Sequence, residues 1–204
     1  MVFAVPAFGD VTGVEGMGRI SAVVGSKWTP NAYFEGVAAS RGNLLVSRTP
    51  GIQGAASFGY GITSWAEVTI DVYGGWESFE LSGYAPFNSY IYGGLIGGRI
   101  TKLDFPWRGF VPHLGVQAGP SVAQIASTSI PTSEIVLLGL SANAGLTYRF
   151  SDRFGITLDV RYLFARLYVP EIAGANVGGL FASIGATMYF PGSSERKDLS
   201  VPGF

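Results

Sequence analysis

His113 is the chain's only histidine and its one side chain with a pKa suited to proton transfer near neutral pH. A hydrolase would need such a base beside a nucleophile. Ser57, Ser121 and Ser141 are the candidates, but no carboxylate stands close in sequence to orient the imidazole. The chain has no cysteine, which excludes thiolate catalysis, disulfides and cysteine metal sites, and a single histidine rules out a multi-histidine metal site. The acidic residues show no metal-ligand spacing. "GVEGMG" at 13–18 is glycine-rich, but no strand precedes it, as a phosphate loop would require. No catalytic residue, metal or cofactor is therefore expected. The other chemistry-bearing residues are nine charges in otherwise weakly charged stretches: Arg19, Lys27, Glu67, Asp71, Glu77, Arg99, Arg149, Asp159 and Arg161. Such isolated charges can pair.

The elements that carry them follow a period of two. In 134–150, Val136, Leu138, Leu140, Ala142, Ala144, Leu146, Tyr148 and Phe150 alternate with Gly139, Ser141, Asn143, Gly145, Thr147 and Arg149. One face is apolar and the other small or polar, as in a β-strand. Segments 66–77 and 154–164 repeat the pattern, and weaker versions run through 17–28, 51–62, 88–103, 110–125 and 178–190. Eight strands are predicted, most of them longer than the usual five or six residues. Short turns near 62–65, 103–109 and 150–153 alternate with longer loops near 29–50, 80–88, 126–134 and 168–177. That rhythm describes an up-and-down antiparallel meander. Its boundaries are an N-terminal segment 1–16, a barrel 17–190 and a tail 191–204.

The apolar face is the bulky one. Charged residues make up 13% of the chain against 48% hydrophobic, with mean hydropathy +0.32. A soluble domain carries about 25% charged residues. The longest uncharged stretches, 109–133 and 172–194, are broken by Pro112, Pro120 and Pro131 and by Gly174, Gly178, Gly179, Gly185 and Pro191, so neither reads as a spanning helix. An eight-stranded barrel has an interior just wide enough for side chains. Glycine, serine, alanine and a few charges suit that interior, while rows of Leu, Tyr, Phe and Trp suit a wider surface facing lipid. A soluble, lipocalin-like barrel would place the faces the other way round. The aromatics favour the lipid-facing reading. Tyr60, Phe110, Tyr148, Phe150, Phe154 and Phe190 group toward the short turns. Trp28, Trp76, Tyr90, Tyr92, Tyr162 and Phe164 group toward the long loops, with aliphatics between. Two aromatic girdles around an aliphatic band fit a bilayer-spanning β-barrel. Net charge −1 with 13 scattered Lys and Arg gives no footprint for nucleic acid.

With this architecture the chain resembles the small eight-stranded bacterial outer-membrane barrels of the OmpA/OmpX type, over residues 17–190. The resemblance implies integral residence in the bacterial outer membrane, among lipid and lipopolysaccharide, with short turns periplasmic and long loops extracellular. It also implies a lumen plugged by a salt-bridged network. Glu67 and Asp71 against Arg99 is the preferred set, with Asp159 near Arg149 or Arg161 as the second. "SIGATMYF" at 183–190 is similar to the closing-strand signal read by the barrel-assembly machinery, at Ser183, Gly185, Met188 and Phe190. It departs from the commonest form because "PGSSERKDLSVPGF" follows Phe190. The loop 29–48, with Tyr33, Phe34, Leu44 and Leu45, is the expected contact surface for a protein partner. A structural or interaction role is thus expected. The alternatives are a lipid-modifying enzyme, for which "HLG" at 113–115 lacks the His-x-Ser of the lipid A deacylase barrels, and a narrow solute channel. "FAVPA" at 3–7 reads either as the end of a signal peptide or as an ordinary N-terminus.

Overall fold

The computed structural model describes residues 13–40, 44–102, 109–127, 130–166 and 176–190. Eight antiparallel strands close into a barrel: β1 (Gly18–Trp28), β2 (Leu45–Gly61), β3 (Ala66–Leu81), β4 (Phe87–Thr101), β5 (Phe110–Ser127), β6 (Ile130–Arg149), β7 (Phe154–Phe164) and β8 (Gly179–Phe190). Among the described residues one helix, α1 (Asn31–Ser40), lies between β1 and β2. Every strand pairs with its chain neighbour, and β8 returns to β1 from Gly18↔Phe190 to Trp28↔Leu180. Closure leaves no unpaired edge through the belt shared by all eight strands, which hydrocarbon would not tolerate. The shortest strands have 11 residues, enough to cross a bilayer at the usual tilt of about 45°.

The predicted facing holds. Ile20, Val24, Ile70, Val72, Leu114, Leu158 and Ile184 are exposed on the outer wall, whereas Arg19, Lys27, Glu67, Asp71 and Asp159 are buried within. Tyr60, Tyr148, Phe150, Phe154 and Phe190 are exposed at the short-turn end, and Trp28, Tyr92 and Tyr162 at the long-loop end. Gly98, Ala142 and Ala144 leave an apolar depression in the outer wall beside Leu114, Val116 and Tyr162. The chain is a transmembrane up-and-down β-barrel.

Two departures from the expected meander matter. First, the wall is uneven. β7 pairs only with Leu140–Arg149 of β6, so residues 130–139 of β6 pair with β5 alone and the β2–β6 side stands taller. Second, Pro112 and Pro120 lie inside β5, where no N–H is available to the ladder. The β4–β5 pairing accordingly skips from Gly93↔Ser121 to Ile96↔Ala118 around Pro120.

The N-terminal approach is pinned to the β2–β3 turn. Val14 N–H donates to the Ser64 carbonyl at 3.0 Å and Gly16 N–H to that of Gly61 at 2.9 Å, with Val14 and Met17 buried. Gly16 has φ +72°, a left-handed turn position that glycine adopts without steric penalty.

Candidate functional site in the barrel lumen

All nine predicted lumen charges are buried inside the barrel. In the half nearer the short turns, Glu67 is the hub. Its Oε2 accepts from Arg19 Nε at 3.1 Å and lies 3.9 Å from Arg99 Nε, while Oε1 accepts from Thr101 Oγ1 at 3.1 Å. Gly59 makes room for this contact. A Cβ there would stand 2.8 Å from Glu67 Oε2 and 2.9 Å from Arg19 Nη2. Asp71 pairs with Arg161 directly across the lumen. His113 Nε2 lies 3.3 Å from Asp159 Oδ2, which also accepts from Asn143 Nδ2 at 3.0 Å. Hydroxyls complete the layer: Ser21 with Thr187 at 2.9 Å and Thr147 with Thr157 at 2.8 Å. Gln117 Nε2 donates to Thr69 Oγ1 at 2.8 Å.

The expected pairing is corrected in part. Glu67–Arg99 forms, but Asp71 meets Arg161 rather than Arg99, and Asp159 takes His113 and Asn143 rather than Arg149. Arg149 instead donates to the Asp152 carbonyl at 2.8 Å and covers the Tyr189 ring at 4.9 Å. The reason is geometric. Inward side chains in so narrow a barrel reach past the adjacent strand, so β1 meets β3 (Arg19–Glu67), β5 meets β7 (His113–Asp159) and β3 meets β7 (Asp71–Arg161).

The half nearer the long loops is apolar, a zone the alternation pattern did not mark. Phe79, Phe87, Ile91, Leu95, Leu163, Val177 and Phe181 form one buried cluster with four residues of α1. That helix corrects the expectation for the first loop. Tyr33, Phe34, Val37 and Ala38 are spaced i, i+1, i+4 and i+5, which gathers them on one helical face, and all four are buried. Phe34 packs on Phe79 with ring centroids 4.9 Å apart, and Phe79 stacks on Phe87 at 5.3 Å. Tyr33 and Phe34 are therefore buried in this cluster rather than exposed as a partner surface. Leu45 packs partly against the cluster, and only Leu44 of the four is fully exposed. Burial pushes the Tyr33 phenol, outside the spanning strands, up to about 12 despite its 3.4 Å contact with Ser89.

One ion pair lies in this apolar zone. Lys27 Nζ is 2.5 Å from Glu77 Oε2, and the Thr29 N–H donates to Glu77 Oε1 at 3.0 Å. Arg48 spans from the Thr29 carbonyl to the Phe34 ring, 5.8 Å from its centroid, and so pins the helix entrance. Tyr73 OH bonds Ser121 Oγ at 2.5 Å at the boundary between the zones.

The closing strand matches its expected placement. Ser183 faces inward and accepts from Gln53, while Ile184 and Phe190 face outward. A Cβ on Gly185 would run into the Ala22 and Val23 backbone of β1. Among the described residues, no group of three His, Asp or Glu is placed to hold a metal.

No family model matches the sequence, and no curated protein matches it either. Solved structures do. The outer membrane protein OprG of Pseudomonas aeruginosa superposes with TM-score 0.58 at 13% identity, over 88% of this chain and 98% of that one. The chain has the fold of the small eight-stranded outer-membrane barrels. Ail, the attachment invasion locus protein of Yersinia pestis, matches this outer-membrane-type barrel with TM-score 0.53 at 15% identity, over 86% of this chain and 99% of that one. Neisserial surface protein A gives 0.53 at 12%, over 86% and 96%.

Proposed function

We propose that the chain is an integral protein of the bacterial outer membrane with a structural or protein-interaction role, non-enzymatic and closed to solutes. The observation that carries this reading is the filled lumen inside a lipid-facing wall. Buried ion pairs occupy one half and an apolar plug the other. Short turns face the periplasm and long loops the exterior, and β8 presents Ser183, Gly185, Met188 and Phe190 to the assembly machinery. Partner contact falls to the exposed Leu44, Val46 and Tyr84 at the long-loop rim, in place of Tyr33 and Phe34. The His113–Asp159 pair supports no catalysis on this reading, because His113 is buried in the lumen and, among the described residues, no serine hydroxyl bonds its ring.

A detergent pull-down from native outer membranes tests the role. A protein that co-purifies with wild type and is lost with L44D/V46D supports it. Altered lipid A mass on expression would favour the enzyme reading instead.

A further inference from the structure

The inward charges do not balance. Among the described residues the lumen buries five cations, Arg19, Lys27, Arg99, Arg149 and Arg161, against four carboxylates, Glu67, Asp71, Glu77 and Asp159. An uncompensated buried charge is costly, and proteins pair such groups or bind a counter-ion. Arg149 meets no carboxylate among the described residues and is answered by the Asp152 carbonyl and the Tyr189 ring; Arg99 is the other weakly compensated cation. Arg99 is 7% exposed, and Glu67, its only carboxylate within salt-bridge distance, sits 3.9 Å away and is already engaged by Arg19 at 3.1 Å. Arg99 Nε and Nη2 and Arg161 Nη1 have no hydrogen-bond partner among the described residues.

Arg19, Arg99 and Arg161 line the same polar cavity of about 30 Å³, three guanidiniums facing the two carboxylates Asp71 and Asp159, with Gln117 beside them. At about 10–15 Å³ per water, that volume takes about two water-sized particles. It admits a monatomic anion and one water but leaves little room for a tetrahedral oxyanion. Guanidinium N–H groups are donors only, so what they face must accept. Asp71 Oδ1 and Gln117 Oε1, also unpartnered, are acceptors and require the accompanying water.

We propose that this cavity is a binding site for a single halide ion, held by the unspent N–H groups of Arg99 and Arg161 and sharing the space with one water. The site is independent of any partner or envelope role, so it stands or falls separately from the functional reading above.

Two measurements on the refolded full chain in detergent test it. In crystals grown with sodium bromide, anomalous diffraction should place a bromide peak within hydrogen-bond distance of Arg99 and Arg161, and Arg99→Gln should abolish it. In solution, the melting temperature should be higher in sodium chloride or bromide than in sodium gluconate at equal ionic strength, and should rise with halide concentration until the site saturates. A cavity holding no anomalous peak overturns the proposal. So does a peak seen only at crystal concentration with the same melting temperature in chloride and gluconate. Neither wild-type measurement depends on a variant that folds.

Discussion

The two halves of the lumen solve the same filling problem with different chemistry. Near the short turns the barrel is closed by its own wall: every participant in the charge network is a strand residue, and Glu67 serves Arg19 and Arg99 together. Near the long loops the interior is apolar, and the closure comes from a separate element, α1, laid onto Phe79 and Phe87. The first arrangement ties lumen contacts to barrel stability. The second adds a helix whose packing, on the function proposed above, can be weakened without opening the charged layer.

The largest expected effect comes from the shared carboxylate. Glu67→Ala takes from two buried guanidiniums, Arg19 and Arg99, their shared carboxylate and should destabilise the barrel by about 3–5 kcal/mol in equilibrium urea unfolding from vesicles. The Lys27–Glu77 pair provides the contrast. Lys27→Met alone strands Glu77 and should cost about 3–5 kcal/mol, whereas Lys27→Met with Glu77→Leu should recover most of that loss, because well-packed apolar replacements of buried pairs are often neutral. The same exchange at Arg19 and Glu67 should fail to recover, since Arg99 is left behind. Equal rescue in both halves would erase the distinction between them.

A smaller effect separates wall from plug. Gly59→Ala should cost about 1–3 kcal/mol, because the added methyl presses on Arg19 and Glu67. Phe34→Ala should instead leave the urea midpoint nearly unchanged and speed protease cleavage between residues 29 and 44. If Phe34→Ala lowers the midpoint as much as Gly59→Ala does, the helix is part of the cooperative barrel.

The smallest effect is visible only at high pH. Because the Tyr33 phenol is raised to about 12 from an ordinary value of 10.0, its neutral form is favoured in the docked helix. The corresponding stability is intact below about pH 10 and is lost as pH climbs toward 12. Protease sensitivity of the 29–44 segment should rise across that window, and Tyr33→Phe should flatten the profile.

Residues such as Val136, Leu138 and Leu140 made the strands legible, because a period of two with the bulky side outward is the pattern a lipid-facing strand requires. The burial of Arg19, Glu67, Asp71 and Arg161 followed from the same alternation. Of their partners only Glu67–Arg99, on the neighbouring strands β3 and β4, was legible; adjacency in a sheet does not predict Arg19–Glu67 or Asp71–Arg161, which join strands two or more apart. The helix escaped because Pro30 and the glycine-, serine- and asparagine-containing loop masked the Tyr33, Phe34, Val37, Ala38 spacing, a 3.6-residue signal within ten residues. The apolar zone was hidden for a related reason. Ile91, Leu95, Leu163 and Phe181 face inward on strands whose outer faces are apolar too, so alternation loses contrast there.

Planar-bilayer recording of the full chain beside a variant with residues 31–40 replaced by a glycine-serine linker tests the central claim most directly. Insertion of both is checked by heat-modifiable gel mobility. Two independently filled halves predict no unitary current from either protein, because removing the helix opens only the apolar zone and leaves the Glu67 and Asp71 layer shut. A steady unitary conductance from either one, and above all from wild type, would contradict it.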